Sequence, residues 1–374
     1  MVLCLAISGL EILKWIGYFL IALLCLMLMI MLHELGHYTF GKIFKFKINE
    51  FSIGFGPKLF SKANKKTGEV FSVRAVPLGG YCSFAGEDEE GESDDDFNKR
   101  PVWQRIIVLF AGAGFNFLSA FIVITIFFSA YGEYFPVVGN VYQHVEYVED
   151  NNYSIIENSQ QLKEGDIIMS VNGKNCYSLL EYNRLSSLIG KEDGDVEIVV
   201  IRDGEKQTLK VTKQYYVSYN DNGEGQVSAN KGLGISMGSF SVQKLSAGQA
   251  FTHGATFGYD VLRVTVNSIK QIFNGSISVG ESMGGTATAI FSLAQLVQAG
   301  IPAIIYGFCI LSMSIGIMNI LPLPALDGSR IVFAIIEGIR RKPLNRKVEG
   351  TIHFVGIIVL FALAIILDLV HFFG

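Results

Sequence analysis

The sequence predicts a polytopic α-helical membrane protein with four transmembrane helices and one extracytoplasmic α/β domain between the second and third. Three observations lead there. Half of the 374 residues are apolar and mean hydropathy is +0.39, too high for an ordinary soluble protein. The apolar residues gather in four stretches, each long enough to cross about 30 Å of hydrocarbon at ~1.5 Å per helical residue. Between the second and third stretches, residues 134–240 change character, with shorter apolar runs, many turns and ordinary charge.

The first span is expected over about 11–37. Its run from Trp15 to Leu32 is uncharged and continues directly into His33-Glu34-Leu35-Gly36-His37. The segment has no basic leader and no small-residue cleavage site before HELGH, so a retained span is expected rather than a signal peptide. On a helix, His33 and His37 lie four residues apart on one face. Both imidazoles can then reach one Zn²⁺ at roughly 2.0–2.1 Å, with Glu34 beside the metal as a base toward water. Ionisable side chains in or next to lipid are costly and mark a functional site by default.

The second span is expected over 106–131 and the third within 299–326, both uncharged; the fourth covers about 351–370 and is broken late by Asp368. Residues 41–105 hold eleven Lys or Arg and residues 327–350 hold six, whereas only Lys14 precedes the uncharged run of the first span. The positive-inside rule puts both basic loops in the cytoplasm and residues 132–298 outside. Spans one and three then run in the same direction, which brings Asp327 to the depth of the two histidines. Asp327 is the only carboxylate in residues 282–329. Two readings stand: a marker of the water boundary, or the third protein ligand that a catalytic zinc wants. Pro322 and Pro324 break the helix just before it, and irregular backbone at membrane depth is tolerated where protein or a water-filled cavity covers it.

HELGH and Asn319-Ile320-Leu321-Pro322-Leu323-Pro324-Ala325-Leu326-Asp327-Gly328 together resemble the HExxH and NxxPxPxLDG motifs of the site-2 protease family of intramembrane metalloproteases. The resemblance is nearest to the RseP-like bacterial branch and covers essentially the whole chain. It implies a zinc endopeptidase of regulated intramembrane proteolysis in the bacterial plasma membrane. Zn²⁺ would be held by His33, His37 and Asp327, with Glu34 as catalytic base and Asn319 on the substrate backbone or oxyanion. It implies single-pass substrates, anti-sigma factors or signal-peptide remnants, shortened first by an upstream site-1 protease. The lipid bilayer is the other partner, and no nucleic acid is expected.

Residues 52–57 (SIGFGP) and 77–81 (PLGGY) resemble the family's membrane-associated β-hairpin region, with Gly79 and Gly80 next to substrate; the competing reading is that these glycines only make turns. The family's GPxxNF in span two stands here as Gly112-Ala113-Gly114-Phe115-Asn116-Phe117, without the proline. Asn116 is a candidate substrate contact, or simply bonds a neighbouring helix. Ser329 follows the LDG where relatives often have a second glycine.

In the external region, residues 162–173 (LKEGDIIMSVNG) resemble the PDZ core pattern, and VEIVVI at 196–201 forms a hairpin with 208–211 around Asp203-Gly204. The domains are thus 1–131, a first catalytic membrane half; 132–240, a PDZ-like domain that binds chain ends or strands by augmentation; 241–298, an amphipathic linker; and 299–374, the second catalytic half. Within the linker, 250–274 has amphipathic helical spacing. Residues 282–298 dip into the membrane, lie on its surface, or start span three early.

The remaining features carry less. Residues 87–96 hold eight acids in ten and read as a solvated, mobile loop. The five cysteines form no CxxC pair. His144, His253, His353 and His371 belong to no ligand-spaced cluster. A non-catalytic scaffold and a metal transporter are the rival classes. The intact motifs oppose the first, and the lack of further charged positions across the spans opposes the second.

Overall fold

A computed structural model describes residues 9–87, 93–149, 152–156, 162–176, 184–190, 194–219, 225–274 and 285–373. The chain divides into two compact units, one of residues 1–124 with 255–374 and the other of residues 125–254.

In the first unit, α1 (Gly9–Ile43) and α2 (Val102–Ala130) are followed, after the second unit, by α6 (Ile301–Ile320) and α8 (Arg346–Phe373). Among the described residues, these are the four helices long and apolar enough to cross a membrane. Their mean hydropathies over 18 residues run from 2.0 to 2.7, as an element facing lipid requires. Numbering in chain order, with α3 given below, α4 (Ala247–Phe273), α5 (Thr286–Ala299) and α7 (Asp327–Arg340) are the other long helices.

Two readings of the sequence change here. Residues 286–299 form a separate helix, cut from α6 at Gly300, whose φ of 107° only glycine adopts easily. Asp368 does not break span four, because α8 runs through it. Its carboxylate leaves α8 to accept from the Ala287 and Thr288 N–H groups at 3.0 and 2.9 Å and from Thr288 Oγ at 2.8 Å. The charge at the end of the span is thus the cap of α5, satisfying amides that have no partner in the first turn. Trp15 of α1 stacks on Phe291 of the same short helix.

Between α1 and α2 lies the hairpin of β1 (Ile48–Ala63) and β2 (Val70–Phe84). It folds back on itself. Residues 50–53 pair with 80–83, the numbers running oppositely, and also with 70–73, the numbers rising together. Residues 60–63 pair in turn with 70–73, so 80–83 lies at one edge. Gly54 permits the bend, with φ at 84° and no room for a Cβ, which would stand 2.7 Å from the Val76 carbonyl oxygen. Glu50 ties the lanes, accepting from Ser72 Oγ at 2.6 Å and Arg74 Nη2 at 2.9 Å and pairing with Lys58 at 3.1 Å. Phe46, Ile48, Phe84, Phe97, Val108 and Leu109 form the core that fastens the hairpin to α2.

Burial pushes the Glu50 carboxyl up, but the bonds from Ser72, Arg74 and Lys58 outweigh it and hold the group at about 2. Its folded value lies below the ~4.3 of an unfolded glutamate. The stabilisation is therefore complete above about pH 5 and lost as pH falls toward 2. Protease nicking of residues 60–73 is expected to rise over that window in the wild type and to show no such acid-dependent rise in Glu50→Gln. An acid-dependent rise that persists in the variant refutes the assignment.

The acidic loop is more structured at its ends than solvation alone predicts. Glu87 pairs with Arg330, Asp95 with Arg100 at 2.7 Å, and Asp96 is buried with its carboxylate accepting from the Ser93 N–H. Residues 88–92 lie outside the described residues.

The second unit is built on two antiparallel sheets. Strands β3 (Glu133–Val141), β6 (Ile167–Val171), β8 (Asp195–Arg202), β9 (Glu205–Thr212) and β12 (Ile235–Gln243) lie in the order β12-β3-β6-β8-β9, with β7 (Lys174–Asn175) beside β6. Strands β4 (Gln143–Glu149), β5 (Asn152–Ile155), β10 (Tyr215–Tyr219) and β11 (Gly225–Val227) form the second, in the order β11-β10-β4-β5. The expected hairpin is present: Arg202 pairs with Glu205 across Asp203 and Gly204, both at positive φ. Ile198 and Val200 alternate inward on β8 and join Ile168, Val171 and Val211 in the core, against which α3 (Arg184–Ile189) packs Leu185 and Leu188.

Candidate metal centre

The helical spacing of HELGH puts His33 and His37 on one side of α1, and both are buried. Their Nε2 atoms stand 3.2 Å apart. Asp327 opens α7, and its Oδ2 lies 3.0 Å from His33 Nε2 and 3.2 Å from His37 Nε2. Ligands at about 2.0 Å around a tetrahedral ion stand about 3.3 Å from one another. The triangle formed by the three donors therefore has the edge length of one face of a zinc tetrahedron, and two nitrogens with one carboxylate oxygen is a donor set that zinc accepts. Three protein ligands leave a fourth position open.

The surroundings orient these donors. His37 Nδ1 donates to the Val108 carbonyl of α2 at 2.8 Å, which leaves Nε2 unprotonated and aimed inward. Asn116 Nδ2 lies 3.4 Å from His33 Nδ1, while Asn116 Oδ1 is buried with no hydrogen-bond partner among the described residues. Exchanging the amide's two ends turns the buried oxygen toward His33, where it accepts the Nδ1 proton and satisfies both groups. Asn116 is fully buried behind the imidazole. Its contact with His33 agrees with the second of the two readings, a bond to a neighbouring helix.

Glycines let these parts meet. A Cβ on Gly112 of α2 would stand 2.5 Å from His37 Nε2 and 2.8 Å from His33 Cε1, so both rings lie on bare backbone. A Cβ on Gly36 would stand 2.2 Å from the Ala111 carbonyl oxygen, which sets how closely α1 approaches α2. Gly328 sits as tightly, 2.2 Å from the Ile320 and Leu321 oxygens, where the chain turns from α6 into α7. None of these was singled out from the sequence, although Gly36 and Gly328 stand inside the two motifs.

The loop carrying Asp327 is held from α8. Pro322 and Pro324 prevent the helix from continuing, and Ala325 takes a left-handed φ of 78°. The Ala325 N–H donates to His353 Nδ1 at 3.2 Å, and Gly356 lies so close to Pro324 that its Cβ would meet the proline Cβ at 2.4 Å. His353 thus fastens the segment next to Asp327.

Glu34 faces the hairpin. Its Oε2 accepts the Cys82 N–H at 2.9 Å, and among the described residues no hydrogen bond holds Oε1. A Cβ on Gly80 would approach Glu34 Cγ to 3.8 Å and the Ser52 oxygen to 2.6 Å, so the strand edge passes directly by the carboxylate. Gly79, at φ 142°, packs against the Phe55 ring instead. Asn319 turns its amide to its own helix, donating to the Ile315 carbonyl at 3.1 Å. The structure therefore brings His33, Glu34, His37, Asp327, Gly80 and Asn116 together, and engages Asn319 and Gly79 elsewhere.

An HExxH pair completed by a carboxylate from a distant turn, on helices apolar enough to span lipid, defines a membrane metallopeptidase. The comparisons agree. The model of peptidase family M50 matches residues 21–363. A Fusobacterium nucleatum protein named as a zinc metalloprotease is 34% identical over 351 residues, covering 91% of this chain and 94% of its own. A Helicobacter pylori protein named likewise is 30% identical, covering 91% and 94%. The Bacillus subtilis regulator of sigma-W protease RasP is 24% identical, covering 90% and 94%. The chain belongs to peptidase family M50, the site-2 proteases, and is a zinc metalloprotease.

Proposed function

We propose that the chain is an intramembrane endopeptidase that cuts single-pass transmembrane segments near the cytoplasmic face of the bacterial plasma membrane. The observation that carries this is the meeting of two imidazoles and one carboxylate, with ligand atoms within 4.8 Å of one another, at the ends of apolar helices. His33, His37 and Asp327 would hold Zn²⁺, which when bound would supply Lewis acidity toward a peptide carbonyl and toward water. Glu34 takes the proton of the attacking water on Oε1 and returns it to the leaving amine, while the Cys82 N–H holds the other oxygen in place. Asn116 and the Val108 carbonyl keep the two rings oriented.

A peptide bond inside a helix is shielded, so the substrate must unwind before it is cut. The 80–83 edge supports this step, because an extended segment added there satisfies its backbone groups beside Glu34. Gly80 gives the closest approach, and Gly79 and Asn319 serve the same substrate once their present contacts open. An apolar groove of about 740 Å³ along α8, lined by Pro324, Val355 and Val359, reaches the turn before Asp327 and suits a lipid-embedded segment.

The domains at 1–131 and 299–374 form the catalytic membrane halves, and the one at 132–240 is an extracytoplasmic PDZ-like module. In support, β12 is an open sheet edge beside α3, with a groove of about 670 Å³ lined by Leu185, Ile189, Leu233 and Met237. Strand addition there suits a chain end exposed by an upstream site-1 protease. Since the Bacillus relative is named a regulator of sigma-W protease, anti-sigma-like proteins are the first substrate class, with signal-peptide remnants next.

The test is co-expression with a tagged single-pass reporter, whole or already trimmed outside. The trimmed reporter is expected to be cut and the whole one spared. Asp327→Asn is expected to lose both cutting and the zinc retained on purification. Equal cutting of both reporters rejects the need for prior external trimming, and full zinc in the Asn variant places the third ligand elsewhere.

A further inference from the structure

A second site with its own chemistry lies away from the metal centre. The Phe97–Lys99 turn, the start of α2, the end of α7 and the segment leading into α8 enclose a cleft of about 500 Å³. Five cations line it: Lys99, Arg105, Arg341, Lys342 and Arg346. Glu337 is the only carboxylate in the lining, and its charge is already committed. It pairs with Arg105 at 2.7 Å and Arg346 at 2.5 Å and accepts the Leu344 N–H at 2.9 Å. Among the described residues, Lys99, Arg341 and Lys342 have no acidic partner. Arg105 is buried, yet among the described residues its Nε has no hydrogen-bond partner. A buried donor left unsatisfied in a cleft of excess positive charge is a place prepared for an anion.

We infer that this cleft binds a phosphate group, and that the phosphate belongs to the headgroup of an anionic phospholipid. Guanidinium forks match phosphate oxygens in pairs, and ammonium groups add point charge. The location favours a lipid over a soluble anion. The cleft stands where α2 and α8 begin, and both are long and apolar enough to span a membrane, so it lies at headgroup depth. Basic pockets between membrane helices are the usual receptors of such headgroups. Occupancy has a consequence for the first site. One helix, α7, carries Asp327 at its start and Glu337 near its other end, so an anion bridging Lys99 and Lys342 steadies the far end of the helix that begins with the carboxylate ligand. Binding itself does not depend on the proteolytic reading.

The test uses the full chain purified in a zwitterionic detergent, titrated with short-chain phosphatidylglycerol, with short-chain phosphatidylcholine and with pyrophosphate. The variant is Lys99→Glu with Lys342→Glu, both exposed positions outside the metal centre. An unchanged thermal midpoint in phosphatidylcholine shows that it folds. The wild type is expected to bind phosphatidylglycerol saturably and in preference to phosphatidylcholine, and the variant to bind it roughly thirtyfold more weakly. Pyrophosphate binding that the variant loses, without a phosphatidylglycerol preference, keeps the phosphate site and replaces its lipid source with a soluble one. Equal binding of the two lipids without pyrophosphate binding overturns the proposal, as does a preference that the variant retains.

Discussion

Glu34→Gln is expected to abolish cleavage while leaving zinc in place. The amide has nearly the shape of the carboxylate, and its oxygen can still accept the Cys82 N–H that now meets Oε2 at 2.9 Å. The three proposed ligands are untouched, so zinc per chain after purification should equal the wild-type value. What disappears is a group able to take and return a proton. General acid–base catalysis contributes typically 10²–10⁴-fold, and the loss in kcat should fall in that range or below detection. The measurement pairs reporter cleavage with metal analysis on the same preparation. A glutamine variant that cuts at more than about a tenth of the wild-type rate removes Glu34 from the proton path. Loss of zinc together with activity would instead make Glu34 part of the metal's support.

Gly112→Val should have the second large effect, for a different reason. The first added carbon stands 2.5 Å from His37 Nε2 and 2.6 Å from His37 Cε1, well inside contact distance. The ring cannot swing away freely, because Nδ1 is fixed to the Val108 carbonyl one turn earlier on the same helix. Either α2 retreats from α1 or the imidazoles leave their triangle with Asp327. Disturbing the groups that orient metal ligands typically costs 10–100-fold in metal affinity or activity, and here the ligands themselves are displaced, so retained zinc should fall by at least that much. Gly114→Ala on the same helix is the control. A Cβ at Gly114 meets nothing within 4 Å, so zinc and activity should be unchanged. If the two substitutions behave alike, helix stability rather than ring clearance accounts for the loss.

The metal centre was readable in outline because its parts are local or follow from parity. The i, i+4 spacing of His33 and His37 is a property of any helix. The depth of Asp327 follows from counting spans and basic loops, without knowledge of packing. The four long helices followed from apolar run length, since a membrane leaves a helix almost no alternative. In the second unit, Asn172-Gly173 and Asp203-Gly204 announced their turns through backbone preference alone, and both take positive φ.

Other assignments depended on which surfaces meet. For Asn116 the motif left two readings, a substrate contact or a bond to a neighbouring helix; only the approach of α2 to α1 gives it His33 as a neighbour. Gly112 has no local signal, since its value lies in the absence of a side chain opposite residues 75 and 79 positions away. Asp368 read as a charge that ends a helix, whereas the structure spends it on the first turn of another helix about eighty residues earlier. The hairpin's doubling, which leaves 80–83 as the edge beside Glu34, rests on pairings between residues 20 and 27–33 positions apart. Run length, periodicity and turn chemistry thus determined the spans, the paired histidines and the level of the carboxylate. Which backbone approaches which ring, and which buried polar group finds which partner, was decided by packing among distant segments, where close contact leaves room for one arrangement.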